Sequence, residues 1–336
     1  MISHMLASKH MTDHQKSGSQ RARTLPGEAW IEDLVRTLGE ILDSPSDRFP
    51  TPHCLTRSAL IAAIQEARQN LARQRRTSST TAREVRRHLE NEGLLHGLPL
   101  AAAPGGRRLP EILALDIGAS SAPSPDPVEM LQAAVPSGVV CYFSALVFHG
   151  LTTQPCPHHH IARLVPPSTP RSSVAHAPGK ERTPHDPLGT PLFMHDGLLF
   201  YVTNRDPALL PGIQTRLLHP HARIRIADYE QTLLDTLHKP ASCGGPAVVF
   251  EAWETGAGRL DEARLFERLH RISRPLLSRR TGWMLQRFGH LPGAALEAWL
   301  REARQQADRE GETARAPLLP GVPGRVFDSQ WRLDVP

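Results

Sequence analysis

The sequence predicts an α+β fold in two parts, and three observations carry that prediction. Apolar residues recur at helical spacing through residues 28–92 and again from Asp228 onward. Short strand-like runs, "HHHIARLV", "GLLFYVTN" and "ARIRIADYE", lie between those helical stretches. A small-residue, proline-rich stretch, "ASSAPSPDP", separates the two parts. The expected organisation is a leader over 1–27, a first domain over 28–118, a linker over 119–127 and a second domain over 128–336.

The leader is polar and without period, so it is expected to be disordered, and it lacks the apolar run of a signal peptide. "VVCYFSALVF" is far short of the roughly 20 apolar residues that a membrane-spanning helix needs. Cys54, Cys141, Cys156 and Cys243 form no CxxC pair and suggest no disulfide framework. A cytoplasmic protein with no membrane partner is therefore expected.

In the first domain, "EAWIEDLVRTLGEIL" places Ile31, Leu34, Val35, Leu38, Ile41 and Leu42 on one stripe. "SPSDRFPTPH" breaks that helix. A second helix turns Leu60, Ile61, Ile64, Ala67 and Leu71 inward. A third, in "SSTTAREVRRHLENEGLL", starts at Ser/Thr capping residues, buries Ala82, Val85 and Leu89, and stops at Gly93. "HGLPLAAAPGGRRLPEILALDIG" reads as a β-hairpin with its tip at "PGGRR". Three helices and a hairpin in this order outline a winged helix-turn-helix.

Charge distribution adds a function to that outline. The net charge is +5, and residues 57–108 alone hold ten Arg against four Glu, so the basic excess is concentrated there. On the third helix Arg83, Arg86, Arg87 and Glu90 share the face opposite the apolar stripe. Arginine forks match the O6 and N7 of guanine and also bind phosphate, so this face suits a DNA major groove. Arg107 and Arg108 at the hairpin tip, and Arg75 and Arg76 in "RQRR", are placed to meet the flanking backbone. A solvated arginine face, or a protein-binding winged helix, remains the alternative.

In the second domain "VEMLQAAV" and "FSALVFHGL" read as short helices, and 166–191 as a long proline-rich loop. Asp228 followed by Gln231 reads as a capping box for a helix that buries Tyr229, Leu233, Leu234 and Leu237. Helices follow in "LDEARLFERLHRIS", "LLSRRTGWMLQRF" and "ALEAWLREARQQADRE", and a strand pair in "RVFDSQWRLDV".

Four stretches of this domain resemble the AbiEi-type antitoxin and transcriptional-regulator family. "SALVFHGLTTQPCPHHHIARL" is similar to its serine-led helix ending in His-Gly-Leu-Thr and running into a strand. "IADYEQTLLDTLHKPASCGG" is similar to its acidic-capped helix with a Gly-Gly turn. "RRTGWMLQRFG" resembles its Gly-aromatic helix, and "LLPGVPGRVFDSQWRLDV" its closing strand pair. The resemblance implies a DNA-binding antitoxin of a type IV toxin–antitoxin, phage-defence system. Such a protein represses its own operon by binding double-stranded DNA at inverted repeats in its promoter. It opposes a nucleotidyltransferase toxin, without a stable complex between them. A solitary winged-helix regulator without a toxin is the alternative within the family.

The competing class is a metal-dependent nuclease or hydrolase. Cys156 and His158–His160, with His149 nearby, suggest a metal, but alternation along a strand lets at most His158 and His160 share one. Asp228, Glu230 and Asp235 cannot converge from one helix. GxSxG is absent, and "SCGGP" lacks the Lys-Ser/Thr of a P-loop. No catalytic residue, metal or cofactor is expected.

Overall fold

The computed structural model describes residues 26–74, 78–105, 109–117, 125–166 and 189–336. It is a mixed α+β protein, and the described residues form three sheets. The expected leader through residue 25 and most of the expected linker lie outside the described residues, while Pro26 and Gly27, expected in the leader, open the first helix.

The N-terminal elements are α1 (Pro26–Leu42), β1 (Cys54–Thr56), α2 (Arg57–Arg73), α3 (Ala82–Asn91), β2 (Leu95–Gly97) and β3 (Ile112–Leu115). α1 buries Trp30, Leu34, Leu38 and Leu42, a stripe of spacing four, while Ile31, Val35 and Ile41 are only partly covered. On α2 the buried set is Leu60, Ala63, Ile64, Ala67 and Leu71. Ala63 takes the inward place expected of Ile61, and small residues there let two helices pack closely.

β1 was not expected, because three residues carry no readable period. It pairs antiparallel with β3, which also pairs with β2, in the order β1-β3-β2. Both faces of this small sheet are covered. Leu55, Leu113 and Leu115 join the core under α1–α3, whereas Cys54 and Ile112 join the larger core beyond.

The hairpin differs from expectation. β2 and β3 pair only from Leu95 to Gly97, and Leu98 adds one bond to Ile112. Pro99 has no N–H to continue the ladder. The chain then crosses to another sheet, where Ala101 and Met194 exchange backbone hydrogen bonds of 2.9 and 2.8 Å. Leu98 and Leu100 pack on the larger core.

That core is organised by α4 (Pro127–Ala134), β4 (Val139–Val140), α5 (Phe143–Phe148), β5 (His158–Leu164), β6 (Thr190–His195), β7 (Leu198–Arg205), β8 (Ile213–His219) and β9 (Ala222–Ala227). The six strands run β6-β7-β5-β4-β9-β8, with β5–β7 and β4–β9 parallel and the other neighbours antiparallel. α4 lies between this sheet and the small one, touching β1 and β3 on one side and β4, β5 and β9 on the other.

A helical layer completes the fold: α6 (Tyr229–His238), α7 (Pro246–Gly256), α8 (Glu262–Ile272), α9 (Pro275–Arg287) and α10 (Ala294–Glu310). A sheet of β10 (Ala316–Pro317), β11 (Val326–Asp328) and β12 (Leu333–Val335) closes it, with β12 in the middle. Asp228 caps α6 through the Gln231 amide at 2.9 Å. The reciprocal half of the expected capping box is missing, because the Gln231 side chain binds Asp235, Leu209 and the Gly212 amide instead.

The Gly in "RRTGW" is a close-approach position. A Cβ on Gly282 would stand 2.1 Å from the Trp331 ring, whose Nε1 donates to Gln286 at 2.7 Å. Gly282→Ala gains about 0.5–1 kcal/mol of helix propensity and loses more through displacement of a buried indole, about 1–3 kcal/mol. The urea midpoint should fall; a midpoint at or above wild type contradicts this packing.

Candidate nucleic-acid interface

α3 is set by local chemistry at both ends. Thr81 accepts from the Glu84 amide at 3.3 Å, and the Glu84 carboxylate accepts from the Thr81 amide at 2.6 Å, forming a full capping box. Those bonds hold the Glu84 carboxyl below its ordinary range. At the other end Leu94 N–H reaches Leu89 O and Gly93 N–H reaches Glu90 O, with Gly93 at φ +69°. This is a Schellman stop, which glycine alone takes without strain.

Val85 and Leu89 are fully buried, which turns the opposite face outward. Arg83, Arg87 and Glu90 are exposed on it. Arg86 stands apart. Its Nε donates to Glu90 at 2.7 Å and its Nη2 to Glu111 at 2.7 Å. The two carboxylates raise its pKa further. Of the three arginines expected on this face, Arg86 is thus engaged by carboxylates and joins α3 to the start of β3. Glu111 was missed because it lies 25 residues from Arg86 and carries no local signal. Arg75, Arg76, Arg107 and Arg108 lie outside the described residues.

Beside the start of α3 runs an open groove of about 680 Å³, bordered by Gln65, Arg68 and Gln69 of α2 and by Ser78, Ser79 and Thr81. Arg68 donates to Ser78 O at 3.3 Å and lies over the Trp30 ring. The arrangement offers hydroxyls, amides and a guanidinium along a path next to the exposed arginines. These are donors suited to phosphate oxygens.

The rival histidine cluster has a different character. His158, His159 and His160 are all buried in β5. His158 and His160 share one face, their rings 4.8 Å apart, with His160 stacked on Tyr201. His158 donates to Ser242 O at 3.1 Å. His159 turns the other way, toward Phe200, with Ser144 Oγ at 3.5 Å and Cys156 Sγ at 3.6 Å. Burial pushes the Cys156 thiol up to about 11 and the His159 imidazole down to about 4. That favours a neutral pair over a thiolate nucleophile.

Among the described residues no three His, Cys, Asp or Glu side chains are grouped to hold a metal ion. Asp228, Glu230 and Asp235 go to separate partners: Arg268, the Asp261 amide and Arg205. His149 caps α5 and bonds Ala227 O through Nε2 at 2.8 Å, so it ties α5 to β9. Among the described residues no helix is long and apolar enough to cross a membrane.

No family model matches this chain, and no curated protein matches it. Among solved structures, the crystal structure of the RV2827C protein from Mycobacterium tuberculosis is similar at 18% identity and a TM-score of 0.49, over 91% of this chain and 90% of that one.

His159 and His238 are both pushed from 6.5 to about 4 by burial. Their folded values lie below the unfolded one. Their stabilising contribution is therefore complete above pH 6.5 and is lost as pH falls toward 4, on the order of a few kcal/mol for the two together. Urea midpoints measured across this window should drop with acid, and His159→Gln with His238→Gln should flatten the drop. A profile unaltered by the substitutions refutes the assignment.

Proposed function

We propose that the chain is a sequence-specific DNA-binding protein, a winged helix-turn-helix regulator of the AbiEi antitoxin type. The observation that carries this reading is α3: a doubly capped helix, seated on Val85 and Leu89, that presents Arg83 and Arg87 to solvent. A helix of this kind enters a major groove with its outer face against base edges. The small sheet β1-β3-β2 beside it supports assigning residues 98–111 as the wing.

Arg86 changes the division of labour on that helix. Bound to Glu90 and Glu111, it sets the angle between α3 and the wing, and Arg83 and Arg87 read the DNA. Groove-side residues Arg68, Gln69 and Ser79 meet the backbone.

The motifs shared with the antitoxin family support the finer reading. The protein binds inverted repeats in its own promoter, represses a toxin–antitoxin operon and opposes a nucleotidyltransferase toxin without a stable complex. It performs no catalysis of its own.

A gel shift on the duplex upstream of its own gene tests the reading. Arg83→Ala and Arg87→Ala should each cost about 1–3 kcal/mol of binding to that duplex and relax its sequence preference. Binding that equals wild type in both variants overturns the assignment of α3. Growth rescue on co-expression with an adjacent nucleotidyltransferase tests the antitoxin half, and no rescue leaves a regulator without that role.

A further inference from the structure

We propose that the edge strand β6 anchors the wing, which makes Met194 and His195 positioning residues for DNA binding. This rests on the DNA-binding reading above.

The loop that leaves β2 and returns to β3 is fastened at two points. Near its return, Glu111 holds Arg86 of α3 at 2.7 Å. Near its departure, Ala101 forms an isolated bridge to the edge of the other sheet. Ala101 and Met194 exchange both backbone bonds, at 2.9 and 2.8 Å, and His195 Nδ1 donates to Pro99 O at 3.2 Å. Leu98 and Leu100 are drawn onto the larger core. The stem thus meets β6 through a single bridge, although it began as the continuation of β2. A displacement of β6 is passed to the stem, across the Leu98–Ile112 bond to the neighbouring Glu111, and through Arg86 to the helix that carries Arg83 and Arg87.

The geometry of Met194 permits a clean cut. In the ladder with β7 it stands opposite Leu199. Both its N–H and its C=O point outward to Ala101, so the Met194–Leu199 pair needs neither for pairing within the sheet. Proline on an edge strand with its nitrogen facing outward leaves the inner ladder intact. Met194→Pro therefore removes the bond that Met194 N–H donates to Ala101 O, leaves Met194 O to accept from the Ala101 amide, and spares β6–β7. Met194→Ala keeps the N–H and serves as the control. His195→Ala removes the bond to Pro99 together with the exposed contact to Asp196, and serves as an independent variant should Met194→Pro fold poorly.

Hydrogen exchange and DNA binding are read together on the full chain. The probes are the duplex upstream of its own gene and a scrambled duplex of equal length. In Met194→Pro the Ala101 amide keeps its acceptor, Met194 O, but loses the reciprocal bond that closes the bridge, so it should exchange faster while the amides of Phe200 and Val202 keep wild-type rates. Affinity for the upstream duplex should fall by about tenfold, comparable to the loss of one or two net hydrogen bonds. His195→Ala should shift both readouts in the same direction by less, and Met194→Ala should match wild type. Faster exchange at Ala101 with unchanged DNA affinity overturns the proposal, as does unchanged exchange. The parallel Arg83→Ala variant separates the two readings: if it too leaves binding unchanged, the DNA assignment has failed; if it alone weakens binding, only the anchor has.

Discussion

The structure depends on a short helix that has no solvent face. Val128 through Ala133 of α4 are all buried, including Glu129 and Gln132. A helix covered on every side must satisfy its polar groups internally. Gln132 does so by donating to Pro136 O at 2.9 Å and accepting from the Arg225 amide at 2.9 Å, which ties α4 to β9. Glu129 accepts from His219 at 3.3 Å, and burial still holds its carboxyl above the ordinary range. The same helix carries the small sheet on its other side, so the orientation of the two sheets follows from how α4 is wedged between them. Arg223 N–H to Pro50 O at 2.8 Å fastens the β1 side, as the Ala101–Met194 exchange fastens the β2 side.

Beyond α4, buried arginines hold the larger core in register. Arg205 and Asp235 pair as a fork at 2.5 and 2.8 Å with both side chains almost wholly covered, and Arg205 lies over the Tyr142 ring. Arg279 and Arg280 are buried and bond carbonyls: Ala314 and Trp331 for the first, Leu237 and Pro317 for the second. Without a carboxylate beside it, Arg280 is pushed down to about 10 by burial. Carbonyls of an irregular segment need donors, and a guanidinium supplies several from one side chain. The consecutive arginines of "SRRTG" thereby fasten the C-terminal segment to α9. Removing one such partner leaves polar groups stranded in the core, which is costlier than the net worth of the contact.

These constraints bear on the proposed function by making α3 part of a larger body. α3 is built by its own caps and seated on α2 and β2 through Val85 and Leu89, and Arg86 and Glu111 tie it to the start of β3. Two carboxylates on one guanidinium also remove a mobile cation from the exposed face. The remaining free arginines are one helical turn apart, at Arg83 and Arg87, and so point in nearly the same direction.

What could be read from the sequence were the features whose causes are local. Thr81, Glu84 and Gly93 define α3 because capping bonds join residues a few positions apart. Val85 and Leu89 define its inner face because the helical period is intrinsic. The alternation of His158, His159 and His160 follows likewise from strand geometry. Tertiary structure decided the rest, because the partners are remote. Arg86 looked free until Glu111 met it; the hairpin looked continuous until Met194 took the stem. Glu129 and Gln132 are polar residues of a short helix, and only the second sheet decides that they are covered. A residue's type and period state which face it prefers, but only the packed chain determines what occupies that face.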